Sequence, residues 1–196
     1  MTRRCAPKVL LALLAATLPA LSSAGCFPVA GSVRLLPDPT CAVQSSAPGV
    51  VFTGQCFSVN LALIGFPTGT GYAGTTVEPL AGANGVPTTT PAVIPVDGQP
   101  TLPRQMIQTA RSVITLGQAE HRRRESTATT LYTTDVIVFQ PKISSTGEVT
   151  PGATVEQILI AGTDGKGAYA GTTGHLTITG NSIGTPAPVV GRLCMP

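Results

Sequence analysis

Hydrophobic and polar residues alternate along most of this chain with a period of two, the spacing that puts successive side chains on opposite faces of a β-strand. Residues 105–116 show it most clearly. Ile107, Thr109, Arg111, Val113 and Thr115 fall on one face, and Met106, Gln108, Ala110, Ser112, Ile114 and Leu116 on the other. Residues 50–64 are rich in Val, Phe and Leu and predict another strand, with Gly54 as a bulge or bend. A second long strand is expected over 126–140, ended by Pro141 and followed by a turn at 144–147. Residues 154–161 and 171–179 make a hairpin around a glycine-rich turn, 189–194 the last strand, and 31–36 a short first one. Residues 79–103 carry Pro79, Pro87, Pro91, Pro95, Pro100 and Pro103. Proline has no ladder donor, so this segment is expected to be a long loop or a lid over one barrel mouth.

Outside the first 24 residues no helical period is visible. The pattern therefore predicts an all-β, antiparallel protein of seven or eight strands at meander spacing. An eight-stranded barrel over residues 50–196 is expected, preceded by a Pro-rich segment over 25–49. The pentapeptide at 72–76, Tyr-Ala-Gly-Thr-Thr, recurs at 169–173, and reuse of one turn chemistry is the simplest account.

The N-terminus changes the picture. Arg3, Arg4 and Lys8 precede an apolar run over 9–18, and Ser22, Ser23 and Ala24 supply small residues for cleavage, which predicts a signal peptide over 1–24, export and a mature start at Gly25. The run is short for a membrane span and is interrupted by Pro19. Two alternatives share these residues. Cys26 could be acylated as in a lipoprotein, although Ser23 stands where a Leu-like residue is usual; Arg3-Arg4 faintly resembles a twin-arginine signal. Once Cys5 has left with the signal, Cys26, Cys41, Cys56 and Cys194 form an even set, which favours two disulfides and simple secretion. Three pairings are possible; the expectation is Cys26 with Cys194 and Cys41 with Cys56.

The formal charge of +3 comes from the first eight residues. Beyond residue 24 nine basic residues meet nine acidic ones, so nothing supports a nucleic-acid or anionic-membrane partner. No Gly-x-Ser-x-Gly, His-Glu-x-x-His or Cys-x-x-Cys occurs, and no cofactor or metal is expected. The glycines at 162, 165 and 167 join two strands rather than opening a helix, so they are not a phosphate loop.

Gly165-x-Gly167-x-Tyr169-x-Gly171, followed by Gly174-x-Leu176-Thr-Ile-Thr179, resembles the C-terminal signature of dirigent and allene-oxide-cyclase-like barrels, a calycin-type architecture. The resemblance is clearest over 105–180. It implies a barrel whose lumen holds polar residues: in cyclase-like relatives a carboxylate steers an unstable intermediate, and in dirigent proteins cavity residues orient a radical coupling. Arg111, Glu120, Asp135 and Glu156 are the charged candidates here, with Tyr132, Tyr169 and His175 as possible ligand-binding donors. Alternation equally permits Arg111, Asp135 and Glu156 to face water, where charged residues are mostly found, and that placement is expected. His121 beside Arg122, Arg123 and Arg124, flanked by Glu120 and Glu125, reads as a solvated connection. The favoured function is an exported, disulfide-stapled, non-catalytic barrel that binds a small apolar molecule or serves as a surface or structural module. A cofactor-free cyclase or coupling guide using Asp135, Arg111 or Glu156 in the lumen is the alternative.

Overall fold

The computed structural model describes residues 25–40, 51–81, 87–117 and 128–196. The strands are β1 (Gly25–Pro37), β2 (Val51–Leu63), β3 (Gly69–Val77), β4 (Pro79–Ala81), β5 (Pro87–Thr89), β6 (Ala92–Val96), β7 (Gln99–Leu116), β8 (Thr129–Ile143), β9 (Val149–Thr163), β10 (Thr173–Thr179) and β11 (Ala187–Met195). Eight of them close a ring in the order β3-β2-β1-β11-β10-β9-β8-β7, with β7 pairing back onto β3. Every neighbouring pair in the ring is antiparallel, as the alternation predicts, so no edge is left along the closed part of the sheet.

One end of the ring is filled. Val29, Val33, Val59, Leu61, Leu63, Ile114, Leu116, Leu131, Ile160, Leu176, Val189 and Leu193 point inward and are buried. The glycine-rich turn between β9 and β10 folds across this end. Tyr169 packs on Phe66 with ring centroids 5.6 Å apart, and the buried Thr129 fastens the turn: its hydroxyl donates to the Lys166 carbonyl at 2.7 Å and accepts the Tyr169 N–H at 3.0 Å. The base of the barrel is thus a closed apolar plug under a hydrogen-bonded cap.

The other end is open, because β7 changes partner. It pairs with β3 over Thr109–Leu116, then leaves β3 and pairs with β6. A wall of β6, β7, β8 and β9 consequently stands above the rim. The described part of the proline segment is therefore strand and not loop. Its β6 is an edge strand on that wall, the position in a sheet where proline is tolerated. Thr76, Thr90 and Thr109 hold it there: all three are buried, with Thr90 and Thr109 hydroxyls 2.7 Å apart and Thr76 donating to Thr109 at 2.8 Å.

Three other expectations change. β1 runs the full 13 residues from Gly25 to Pro37 despite its prolines, because it pairs with β11 from the Gly25–Met195 step onward. β8 passes Pro141, which sits at a break in register between Gln140 and Lys142. Residues 72–76 lie in β3, whereas 169–172 belong to the basal turn and Thr173 opens β10, so the repeated pentapeptide is not one turn used twice. The register shift between Phe52 and Cys56 brackets Gly54 and matches the expected bulge.

Cys26 and Cys194 face each other across β1 and β11 and form a disulfide. Cys56 is disulfide-bonded as well; its expected pairing with Cys41 lies outside the described residues. The signal segment 1–24, Glu120, His121 and the arginine run 122–124 also lie outside them.

Candidate functional site

The partner switch of β7 leaves a cup in the open half of the ring with a volume of about 330 Å³. Its walls are mostly apolar: Leu35, Phe57, Ala73, Ala110, Ile137 and Phe139. Residues 181–183 close the side opposite the wall, tied to β1 by the Leu35 N–H donating to the Ser182 carbonyl at 2.8 Å. Gln108, Thr75 and Thr154 supply polar atoms, and Glu156 is the charged residue of the lining. Small residues at the inward positions of β3 and β7, Ala73 and Ala110, leave the space that Leu or Ile would fill lower down.

Glu156 also borders a void of about 20 Å³ beneath the cup, between Ser112, Ile114, Ile158 and Leu176. Its place is therefore the cup's floor, on top of the packed plug. Asp135 lies beside it on the same inner face of the sheet, since Ile137 of β8 pairs with Glu156 and Asp135 with Ile158. Asp135 is fully buried. Its Oδ2 accepts a hydrogen bond from the Ser112 hydroxyl at 2.8 Å, while Oδ1 is buried with no hydrogen-bond partner among the described residues.

Burial disfavours charge on both acids. It raises the Asp135 carboxyl to about 6, opposed by the hydroxyls of Thr133 and Ser112 and by Arg111 on the far side of the sheet. It raises Glu156 further, to about 8, with the negative charge of Asp135 adding to the effect. Near neutral pH burial thus favours keeping a proton on this pair.

The expectation that Asp135 and Glu156 face water is thus overturned. Both acids lie on the inner face, where burial favours their neutral forms and Ser112 donates to one of them. Arg111, by contrast, is on the outer face. Its Nε meets Glu78 Oε1 at 3.1 Å, and its Nη1 donates to the Thr134 hydroxyl. Tyr132 and His175 are exposed on the outside of β8 and β10, and Tyr169 belongs to the basal cap. Phe57, Phe139, Gln108 and residues 181–183 were not singled out from sequence. Gln108, Ala110 and Ser112 were legible as one face of β7; nothing in the pattern marked 181–183 as rim. Among the described residues no group of His, Cys, Asp or Glu is placed to hold a metal ion. Compared with family models, with curated proteins and with solved structures, the chain matches none.

Proposed function

We propose that this chain is an exported, non-catalytic β-barrel that holds a small, largely apolar molecule in the cup between its rim and Glu156. The cup itself carries the reading. A barrel of eight strands has an interior that side chains can fill, or that can hold one small ligand. Here the lower half is filled and the upper half is not, and its volume falls at the small end of ligand pockets, about 300–1,000 Å³. The kinship with dirigent and allene-oxide-cyclase-like barrels belongs to the same proposal and rests on the glycine signature and the strand after it.

Export is supported by the cross-strand disulfide, which suits an oxidising compartment. The same bond favours the secreted form over the lipid-anchored one. A Cys26 sulfur joined to Cys194 has no valence left for a lipid thioether.

The test is titration with the neutral apolar dye N-phenyl-1-naphthylamine, whose fluorescence rises on leaving water. Wild type should bind about one dye, and Ala110→Phe or Thr154→Phe, each placing a ring in the cup, should abolish binding while far-ultraviolet circular dichroism is unchanged. Equal binding by folded filled-cup variants would sink the proposal.

The inward pair Asp135 and Glu156 favours a second reading, a cofactor-free cyclase or coupling guide. Two neighbouring carboxyls whose burial raises them to about 6 and about 8, one of them lining the cup, suit proton transfer to and from a bound intermediate. A turnover that persisted in both Asp135→Asn and Glu156→Gln would remove it.

A further inference from the structure

Resting on the reading of the cup as a ligand site, we propose that its ligand is a small cationic amphiphile: an apolar body lies against Leu35, Phe57, Ile137 and Phe139, and a protonated amine sits on Glu156, over the Asp135 carboxylate. Glu156 lines the apolar cup and Asp135 is buried beside it on the same face of the sheet. Among the described residues no Lys, Arg or His lines the cup. The guanidinium of Arg111 is on the other face of the sheet and is engaged by Glu78 and Thr134. The groups around the acids on their own face are uncharged: Ala110 and Ser112 from β7, Thr133 and Ile137 from β8, and Thr154 and Ile158 from β9. Across the lumen stand Leu35, Phe57, Ala73, Thr75 and Ile178. The Oδ1 of Asp135, a buried acceptor with no hydrogen-bond partner among the described residues, marks the same deficit.

A buried charge without a partner is costly, and the structure limits that cost by keeping a proton on the pair. An ammonium ion does the same electrostatic work and adds N–H donors. When it enters, the proton on Glu156 is no longer required; the amine stays charged and a proton leaves to solvent. Neutral or anionic ligands cannot make this exchange. An alcohol leaves the proton in place, and a carboxylate adds a second negative charge to the chamber. Alkylamines remain protonated to about pH 10, so between pH 5 and 8 the change in affinity reports the two acids alone. Burial raises both of them into that window, and amine affinity therefore rises with pH across it.

The experiment is displacement of N-phenyl-1-naphthylamine by hexylamine, hexan-1-ol and hexanoate, three chains of equal length. At pH 7.5 hexylamine should displace the dye at a concentration about tenfold lower than hexan-1-ol, a difference of about 1.4 kcal/mol, with hexanoate weakest. At pH 5 the preference for amine should shrink. Calorimetry in phosphate and in Tris at pH 7.5 should show proton release on amine binding. Glu156→Gln should lose the preference and the proton release, each read against that variant's own dye affinity; Asp135→Asn is the second variant should the first fail to fold. Equal displacement by hexylamine and hexan-1-ol at pH 7.5, no displacement by hexylamine, or a preference that survives in the variants would overturn the proposal while leaving the cup as a binding site. Failure of the dye itself to bind would instead remove the underlying reading.

Discussion

Glu156 and Asp135 are buried acids, and the cost of charging them has a sign that can be measured. Each is an acid whose proton is held more tightly in the folded chain than in the unfolded one. Such a group favours folding fully below its unfolded value and loses that contribution as pH rises through the folded value. For Glu156 the window runs from its ordinary 4.5 to about 8, and the loss is on the order of a few kcal/mol. Thermal midpoints of the wild type should therefore fall between pH 5 and pH 8. Glu156→Gln, neutral throughout, should flatten most of that slope and be the more stable protein at pH 8. A slope unchanged by the substitution would show that the buried acid is not its source. Arg111 is the contrasting case. Its alternation pattern is as regular as that of its neighbours, but odd-numbered residues of β7 face out, and it finds Glu78 there.

Among the elements, β10 depends on a glycine where it leaves the basal turn. Gly174 has φ of +138°, and a Cβ there would lie 2.1 Å from the Arg192 carbonyl oxygen of β11. Gly174→Ala should thus separate β10 from β11 and lower stability by several kcal/mol, well beyond the ~0.5 kcal/mol of an ordinary surface change; a midpoint within a degree of wild type would contradict this placement. How far elements could be read from sequence follows from the same physics. Strands with clean alternation were legible, β2, β7, β8, β9 and β10 among them, because one face is buried and the other wet. β1 was underestimated, since its prolines hide a strand whose pairing comes from β11 at the far end of the chain. β3 was hidden for another reason: its Tyr-Ala-Gly-Thr-Thr is identical to the largely turn sequence at 169–173, and only the long-range neighbours β2 and β7 make it extended. The cup was illegible as a cavity. Its space comes from β7 changing partners, which is a property of topology and not of any residue's chemistry, although the inward face of Gln108, Ala110 and Ser112 was in plain view.

For the molecule as a whole, ring closure between β1 and β11 is the long-range step, and the Cys26–Cys194 bond spans a separation of 168 residues. Substituting both cysteines by serine should cost about 2–5 kcal/mol, read as a lower urea midpoint. The oxidised protein, analysed by mass spectrometry, should start at Gly25 and gain two hydrogens per bond on reduction. An acylated Cys26 would instead add the mass of its lipid and lack this bridge.

The antiparallel pairing of β1 with β11 also fixes which end of the ring their outer ends share. Gly25 lies opposite Met195, and the ring of Pro196 sits beside Gly171 in the basal turn, so both lie at the plugged floor. A surface or tag attached at Pro196 is thereby held on the far side of the molecule from the opening. Immobilised there, the protein would stand upright with its cup facing the solution.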